Sequence, residues 1–198
     1  MIYHLYRDAF SEVYTYRYRL TTEDETPLLQ ATWPTIHATR QPEQVNFEDA
    51  AGQRLAQLQW YDRGWWRGDL FELRDVSENL IAAFEERWNI VDRLLLHLPR
   101  YRIALPDGNL LETRGSRYAE QFYEIFVLPA SSYKETKAIT TASVTEEEGV
   151  WLGEILHPPL GPTYIFKTNS PLLTATPTLA MAIMIVIDLW GFDKAKHA

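Results

Sequence analysis

Large apolar and polar side chains alternate along the first part of this chain in short bursts, each closed by a polar turn. Tyr14-Thr-Tyr16-Arg-Tyr18-Arg-Leu20 shows the period of two that marks a strand with one buried face. After the turn Thr21–Pro27, Leu28-Leu-Gln-Ala-Thr-Trp33 repeats the theme. Val45–Glu48 and Leu55–Trp60 flank a second turn at Asp49-Ala-Ala-Gly52. Phe71–Arg74 and Leu80–Glu85 flank a third at Asp75–Asn79. Tyr101–Leu105 and Leu110–Thr113 flank Pro106-Asp107-Gly108-Asn109. Glycine accepts the positive φ that tight hairpins demand, so Asp-Gly between alternating runs is a strong hairpin signal. Four hairpins spaced by roughly 25–30 residues predict a meander.

The middle of the chain is less regular. Trp88–Leu98 reads as a strand pair or a short helix, and Tyr118–Leu128 as a helix that ends in a strand. Lys137–Val144, Val150–Leu156 and Thr163–Lys167 are further strand candidates, with Glu146-Glu-Glu148 a solvated turn. No Ser/Gly linker or shift in composition divides the chain, so residues 1–198 read as one domain, with strands over about 2–168.

Near the end the alternation gives way to an unbroken apolar run, Leu179-Ala-Met-Ala-Ile-Met-Ile-Val-Ile187, followed by Asp188-Leu-Trp-Gly-Phe192. This predicts a helix over about 178–190, with Thr178 as N-cap or Pro177 in the first turn, and Gly191 near the C-cap. A helix apolar on every side needs lipid or the inside of a sheet. Spanning a bilayer takes roughly 20 apolar residues. The run reaches that length only by extending back to Pro171 through Thr174, Thr176, Pro177 and Thr178. A sheet that closes on itself offers the other shelter, because such a helix can fill its interior and closure removes exposed edges.

The hairpins with their D-x-x-G-type turns, together with the ending Ile185-Val-Ile-Asp188-Leu-Trp-Gly-Phe192, resemble the tubby C-terminal-like superfamily. That group includes the phospholipid scramblases and the LURP-one-related proteins. The resemblance runs from about Ile2 to Phe192. It implies an all-β fold, a closed antiparallel barrel of about twelve strands around a C-terminal hydrophobic helix. It also implies a non-enzymatic module that docks phospholipid or phosphoinositide head groups, or a protein partner, on its outer surface. Tubby domains bind head groups through basic residues that include a pair two apart on one strand. Arg17-Tyr-Arg19 and Arg100-Tyr-Arg102 have that spacing, which would let each pair grip one phosphate. Arg114 and Arg117 lie near a glycine turn in a similar way. Scramblases carry an acidic calcium-binding segment before the helix. Gly161–Pro177 contains no Asp or Glu, so calcium-driven scrambling is not expected.

Composition narrows the rest. The chain has 7 Trp, 11 Tyr and 8 Phe, which favours strands. It has no cysteine, which removes disulfides and cysteine-ligated metals. The formal net charge of −8 argues against nucleic-acid binding and against non-specific adhesion to anionic membranes. No apolar leader opens the sequence, so a cytoplasmic protein with peripheral membrane contact is expected. His4, His37, His97, His157 and His197 show no metal spacing, and no nucleophile, Walker or dinucleotide motif appears. No catalytic residue, metal or cofactor is therefore expected.

The most unusual loop is Trp60-Tyr-Asp-Arg-Gly-Trp65-Trp66-Arg67-Gly68. Aromatic and arginine side chains together recur at binding hot spots. Trp60, Trp65, Trp66 and Arg67 thus form a candidate surface for a partner or a small ligand at a barrel mouth. Two alternatives to the head-group reading stay open: a protein tethered to the membrane by Pro171–Phe192, and a ligand-binding barrel with this Trp-rich mouth.

Overall fold

The computed structural model describes residues 1–10, 15–34, 44–61, 63, 68–87, 98–115, 121–128 and 149–196. Twelve strands follow one another: β1 (Ile2–Phe10), β2 (Thr15–Thr22), β3 (Pro27–Pro34), β4 (Gln44–Asp49), β5 (Arg54–Tyr61) and β6 (Leu70–Asp75). Then come β7 (Leu80–Arg87), β8 (Arg100–Ala104), β9 (Leu110–Gly115), β10 (Gln121–Leu128), β11 (Val150–Leu156) and β12 (Tyr164–Thr168). A short helix α1 (Pro171–Ala175) leads into the long helix α2 (Pro177–Lys196). Each strand pairs antiparallel with its sequence neighbours, and β12 returns to β1, so the barrel is closed. At the seam Thr168 N–H donates to the Met1 carbonyl at 3.0 Å, and the Met1 amine donates to the Thr168 carbonyl at 2.9 Å.

Register places the alternating apolar residues on the inside. Leu5 faces Leu20, which faces Leu29, and Phe84 faces Ile103, which faces Leu111. All six are buried. Their neighbours, among them Arg17, Arg19 and Arg102, lie on the outer side of the sheet. The barrel thus reads the period of two as inside and outside.

Helix α2 fills the lumen. Every residue from Leu179 to Leu189 is at most 4% exposed. Its large aliphatic side chains are worth about 1.5–3 kcal/mol each on burial. A sum of that order exceeds the net stability of a typical domain, about 5–15 kcal/mol, so the helix is the core and not an accessory to it. The Pro171–Phe192 tether is therefore corrected. That stretch breaks at Thr176 into two helices, its apolar run lies inside the barrel, and among the described residues no helix is long and apolar enough to cross a membrane.

The helix boundaries also differ from expectation. The Thr176 carbonyl accepts the first helical bonds, from Leu179 at 3.0 Å and Ala180 at 3.3 Å. Thr176 therefore occupies the N-cap position expected of Thr178, and Pro177, which needs no hydrogen-bond acceptor, takes the first turn. The helix passes through Gly191 and continues to Lys196. β1, which carries no turn signal ahead of it, was not resolved as a separate strand by the pattern. Tyr118–Leu128 resolves into the strand β10 from Gln121. Residues 88–97, 116–120 and 129–148 lie outside the described residues, and with them Arg117, the Lys137–Val144 strand and the Glu146–Glu148 turn.

Four short turns at one end of the barrel share one geometry. In each, the first residue both donates to the fifth and accepts from the fourth: Thr22, Asp49, Asp75 and Leu105. The fourth residue takes a positive φ, at Glu25 (60°), Gly52 (82°), Glu78 (63°) and Gly108 (86°). This is a type I turn followed by a left-handed residue, the common three-residue hairpin loop. Helix α2 enters at this end and runs toward the other, where β1 passes to β2, β5 to β6 and β7 to β8.

Candidate functional site

At that second end the one carboxylate of the apolar run meets three partners from the barrel wall. Asp188 is 4% exposed. Arg7 Nη1 donates to both its oxygens, at 2.7 and 2.8 Å. The Tyr18 hydroxyl donates at 2.9 Å and the Tyr164 hydroxyl at 3.1 Å. Arg7 stands two residues beyond Leu5 and four beyond Tyr3 on β1, so it shares their inward face, and from there its guanidinium caps the lumen. Burial raises the Tyr18 phenol well above its ordinary value, and the adjacent Asp188 charge and hydrogen bond raise it further. Tyr164 is raised for the same reasons. Burial alone would lower Arg7, but the Asp188 charge and hydrogen bond outweigh it and hold the guanidinium protonated. The carboxylate charge is met by one guanidinium and two phenol donors, so this cluster fixes where the helix sits along the barrel.

The predicted site residues are scattered around it. Trp60 points inward at the same end and stacks on Phe71, with centroids 5.9 Å apart. Its indole Nε1 is buried without a hydrogen-bond partner among the described residues. Trp60 is thus a half-buried plug of the barrel end. Trp65, Trp66 and Arg67 lie outside the described residues. Arg63 donates to the Gly68 carbonyl at 3.1 Å and to Glu85 at 3.2 Å, which ties this connection to β7.

The arginine pairs lie on the outer face, with Tyr18 and Tyr101 between them pointing inward and fully buried. In the closed order of strands β2 and β8 are six places apart among twelve. Arg17 and Arg19 therefore occupy one side of the barrel and Arg100 and Arg102 the other. The structure brings the members of each pair together but not the two pairs. Arg19 sits over the Tyr6 ring at 5.3 Å and pairs with Asp8 at 3.2 Å. That ion pair is open to water, with side chains 52% and 43% exposed, so it contributes at most about 1 kcal/mol. Arg102 instead faces the buried Glu112 across the β8–β9 ladder, at 3.7 Å. Arg114 also holds Glu112, at 2.8 Å, and lies 4.6 Å from the Phe126 ring centroid.

Among the described residues no group of His, Asp and Glu is arranged to hold a metal ion. His157 Nδ1 lies 2.7 Å from the Thr163 carbonyl, and its ring packs against Phe122 and Tyr164. No family model matches the chain, and neither a curated protein nor a solved structure matches it at a significant level.

The Asp188 cluster does not show in the alternation of apolar and polar positions. A signal for it exists in two places. Arg7 is a charge on the apolar phase of Tyr3 and Leu5, and Asp188 is the one charge in an apolar run. Each alone is an oddity, and together they are complementary.

Proposed function

We propose that this protein is a non-enzymatic, tubby-like barrel that docks a phosphorylated head group on its outer surface. The observation that carries the reading is the filled lumen. A helix buried from Leu179 to Leu189 occupies the space that a lipocalin-like barrel leaves for its ligand, so recognition falls to the outer face and the ends. Arg17 and Arg19 are the pair best disposed for it. They are exposed, share one outer face, and the Asp8 partner of Arg19 is held too weakly to resist a phosphate. The kinship with the scramblase and LURP-one-related group rests on the C-terminal motif and on this architecture. It carries the expectation of a cytoplasmic protein in peripheral contact with membrane, or one that presents the same face to a protein partner.

Vesicle co-sedimentation tests the proposal. Phosphatidylcholine vesicles with added phosphatidylinositol bisphosphate are expected to retain the protein, and Arg17→Ala/Arg19→Ala to weaken retention about tenfold or more. Equal retention by pure phosphatidylcholine, or no effect of the double substitution, removes these residues from the function.

A further inference from the structure

The turn between β8 and β9 holds the one Asp-Gly step in the sequence, Asp107-Gly108, and there is no Asn-Gly step. Asp107, Gly108 and Asn109 are all exposed, and nothing lies within 4 Å of where a side chain on Gly108 would begin. A glycine nitrogen, with no Cβ beside it, is the least hindered backbone nucleophile, and here it adjoins a carboxyl carbon one residue back. Two sets of hydrogen bonds keep the pair from reacting. The Gly108 N–H donates to the Leu105 carbonyl at 3.0 Å. Asp107 turns both carboxylate oxygens forward, Oδ1 accepting from the Asn109 N–H at 2.9 Å and Oδ2 from Asn109 Nδ2 at 2.7 Å. Asp75 clamps Asn79 in the same two-point way, at 2.9 and 2.9 Å, but Val76 follows it and crowds the nitrogen. Asp49 is followed by Ala50.

We propose that Asp107-Gly108 is a self-modification site gated by its own hairpin, inert while the turn is formed and converting to isoaspartate when it opens. The Gly108 nitrogen loses its proton and bonds Asp107 Cγ. One carboxylate oxygen takes that proton and a second from solvent and leaves as water, closing a five-membered imide. Water then reopens the ring. Cleavage at Cγ restores aspartate, and cleavage at the main-chain carbonyl leaves the chain running through Cγ, with a free α-carboxylate. Ring closure swings the Asp107–Gly108 peptide plane out of the turn and breaks the bond to Leu105. It also draws Cγ back from Asn109 and breaks the clamp. The product carries one extra backbone carbon across a turn whose flanks are paired in register, Ala104 with Leu110 and Ile103 with Leu111. Ile103 and Leu111 are fully buried, so the lengthened turn strains their pairing. Time spent with this hairpin open is thereby recorded covalently. None of these residues takes part in head-group docking.

The test ages the full chain at neutral pH, folded in buffer and unfolded in guanidinium chloride. Isoaspartate is followed by mass spectrometry with electron-transfer fragmentation, on the tryptic peptide Ile103–Arg114 for Asp107. The unfolded chain is expected to accumulate isoaspartate at Asp107 but not at Asp49 or Asp75. The folded protein should do so about tenfold more slowly or less, since only the opened turn reacts. Asn109→Ala and Asn109→Ser each remove the Nδ2 contact and keep the backbone one. Either should raise the folded rate about threefold or more and leave the unfolded rate unchanged. Melting curves identify the variants that fold; should neither fold, the wild-type comparison decides. Equal rates with and without denaturant overturn the gate. An unfolded chain that stays unmodified overturns the site, and folded variants that react no faster than wild type overturn the clamp.

Discussion

At the scale of single residues, the fold concentrates its polar obligations in Asp188. Breaking a buried pair costs about 3–5 kcal/mol because the remaining charge is left uncompensated. Arg7 keeps a third of its side chain in water, which screens part of that loss. Arg7→Met is therefore expected to cost about 2–4 kcal/mol by urea denaturation. Tyr18→Phe removes one donor and should cost about 1–2 kcal/mol. The double variant Arg7→Met/Asp188→Leu should recover part of the Arg7→Met loss, since no buried charge is stranded; further loss would show that the carboxylate serves another partner. A second residue-level feature is strain. Glu25 and Glu78 hold φ near +60°, where Gly52 and Gly108 serve the equivalent turns. Glu78→Gly is expected to raise stability by up to about 1 kcal/mol, and Gly108→Ala to lower it by a similar amount, both read as shifts in melting temperature.

The elements themselves were largely legible in the sequence, for reasons that are local. Period-two alternation and the turn residues at Asp49–Gly52, Asp75–Asn79 and Pro106–Asn109 located eight strands, β2 to β9, and their pairing. The apolar run placed α2, because nine consecutive apolar residues, Leu179–Ile187, leave no face for water and call for lipid or the inside of a sheet. Less legible were the ends of that helix. Thr176 and Thr178 are both competent caps, and the choice between them depends on α1, which no periodicity announces. The candidate site fared worse. Arg17/Arg19 and Arg100/Arg102 share a spacing, but spacing does not say which carboxylates will stand opposite. That is fixed by register between strands, which set Glu112 beside Arg102 and Arg87 beside Arg100. At this scale the helix provides the clearest test. Ile185→Ala, inside the lumen, should cost about 2–5 kcal/mol, whereas Leu172→Ala on the half-buried face of α1 should cost well under that; equal losses would mean that α2 is not the principal core element.

For the whole molecule, burial of several phenols sets a limit in alkali. Tyr18, Tyr101 and Tyr164 are all raised above 10.0, in each case first by burial. Unfolded phenols ionise near that value while the folded ones stay protonated. Their contribution to stability is therefore complete below pH 10 and is lost as pH rises, by about 1.4 kcal/mol per pH unit for each phenol. Phenolate absorbance should consequently lag behind the total tyrosine content until a cooperative transition above pH 10, at which unfolding and the missing ionisation appear together. A gradual titration complete before unfolding would contradict the buried hydroxyls seen here.

The position of α2 in the chain also sets the order of assembly. All twelve strands precede the segment that occupies their centre, and the seam joins the first strand to the last. A nascent chain leaving the ribosome must hold a dozen half-greasy ribbons without a filling until the segment from Leu179 emerges. Until then the strands expose the apolar surface that aggregates, and stop codons placed just before Leu179 should yield aggregates and no smaller folded product.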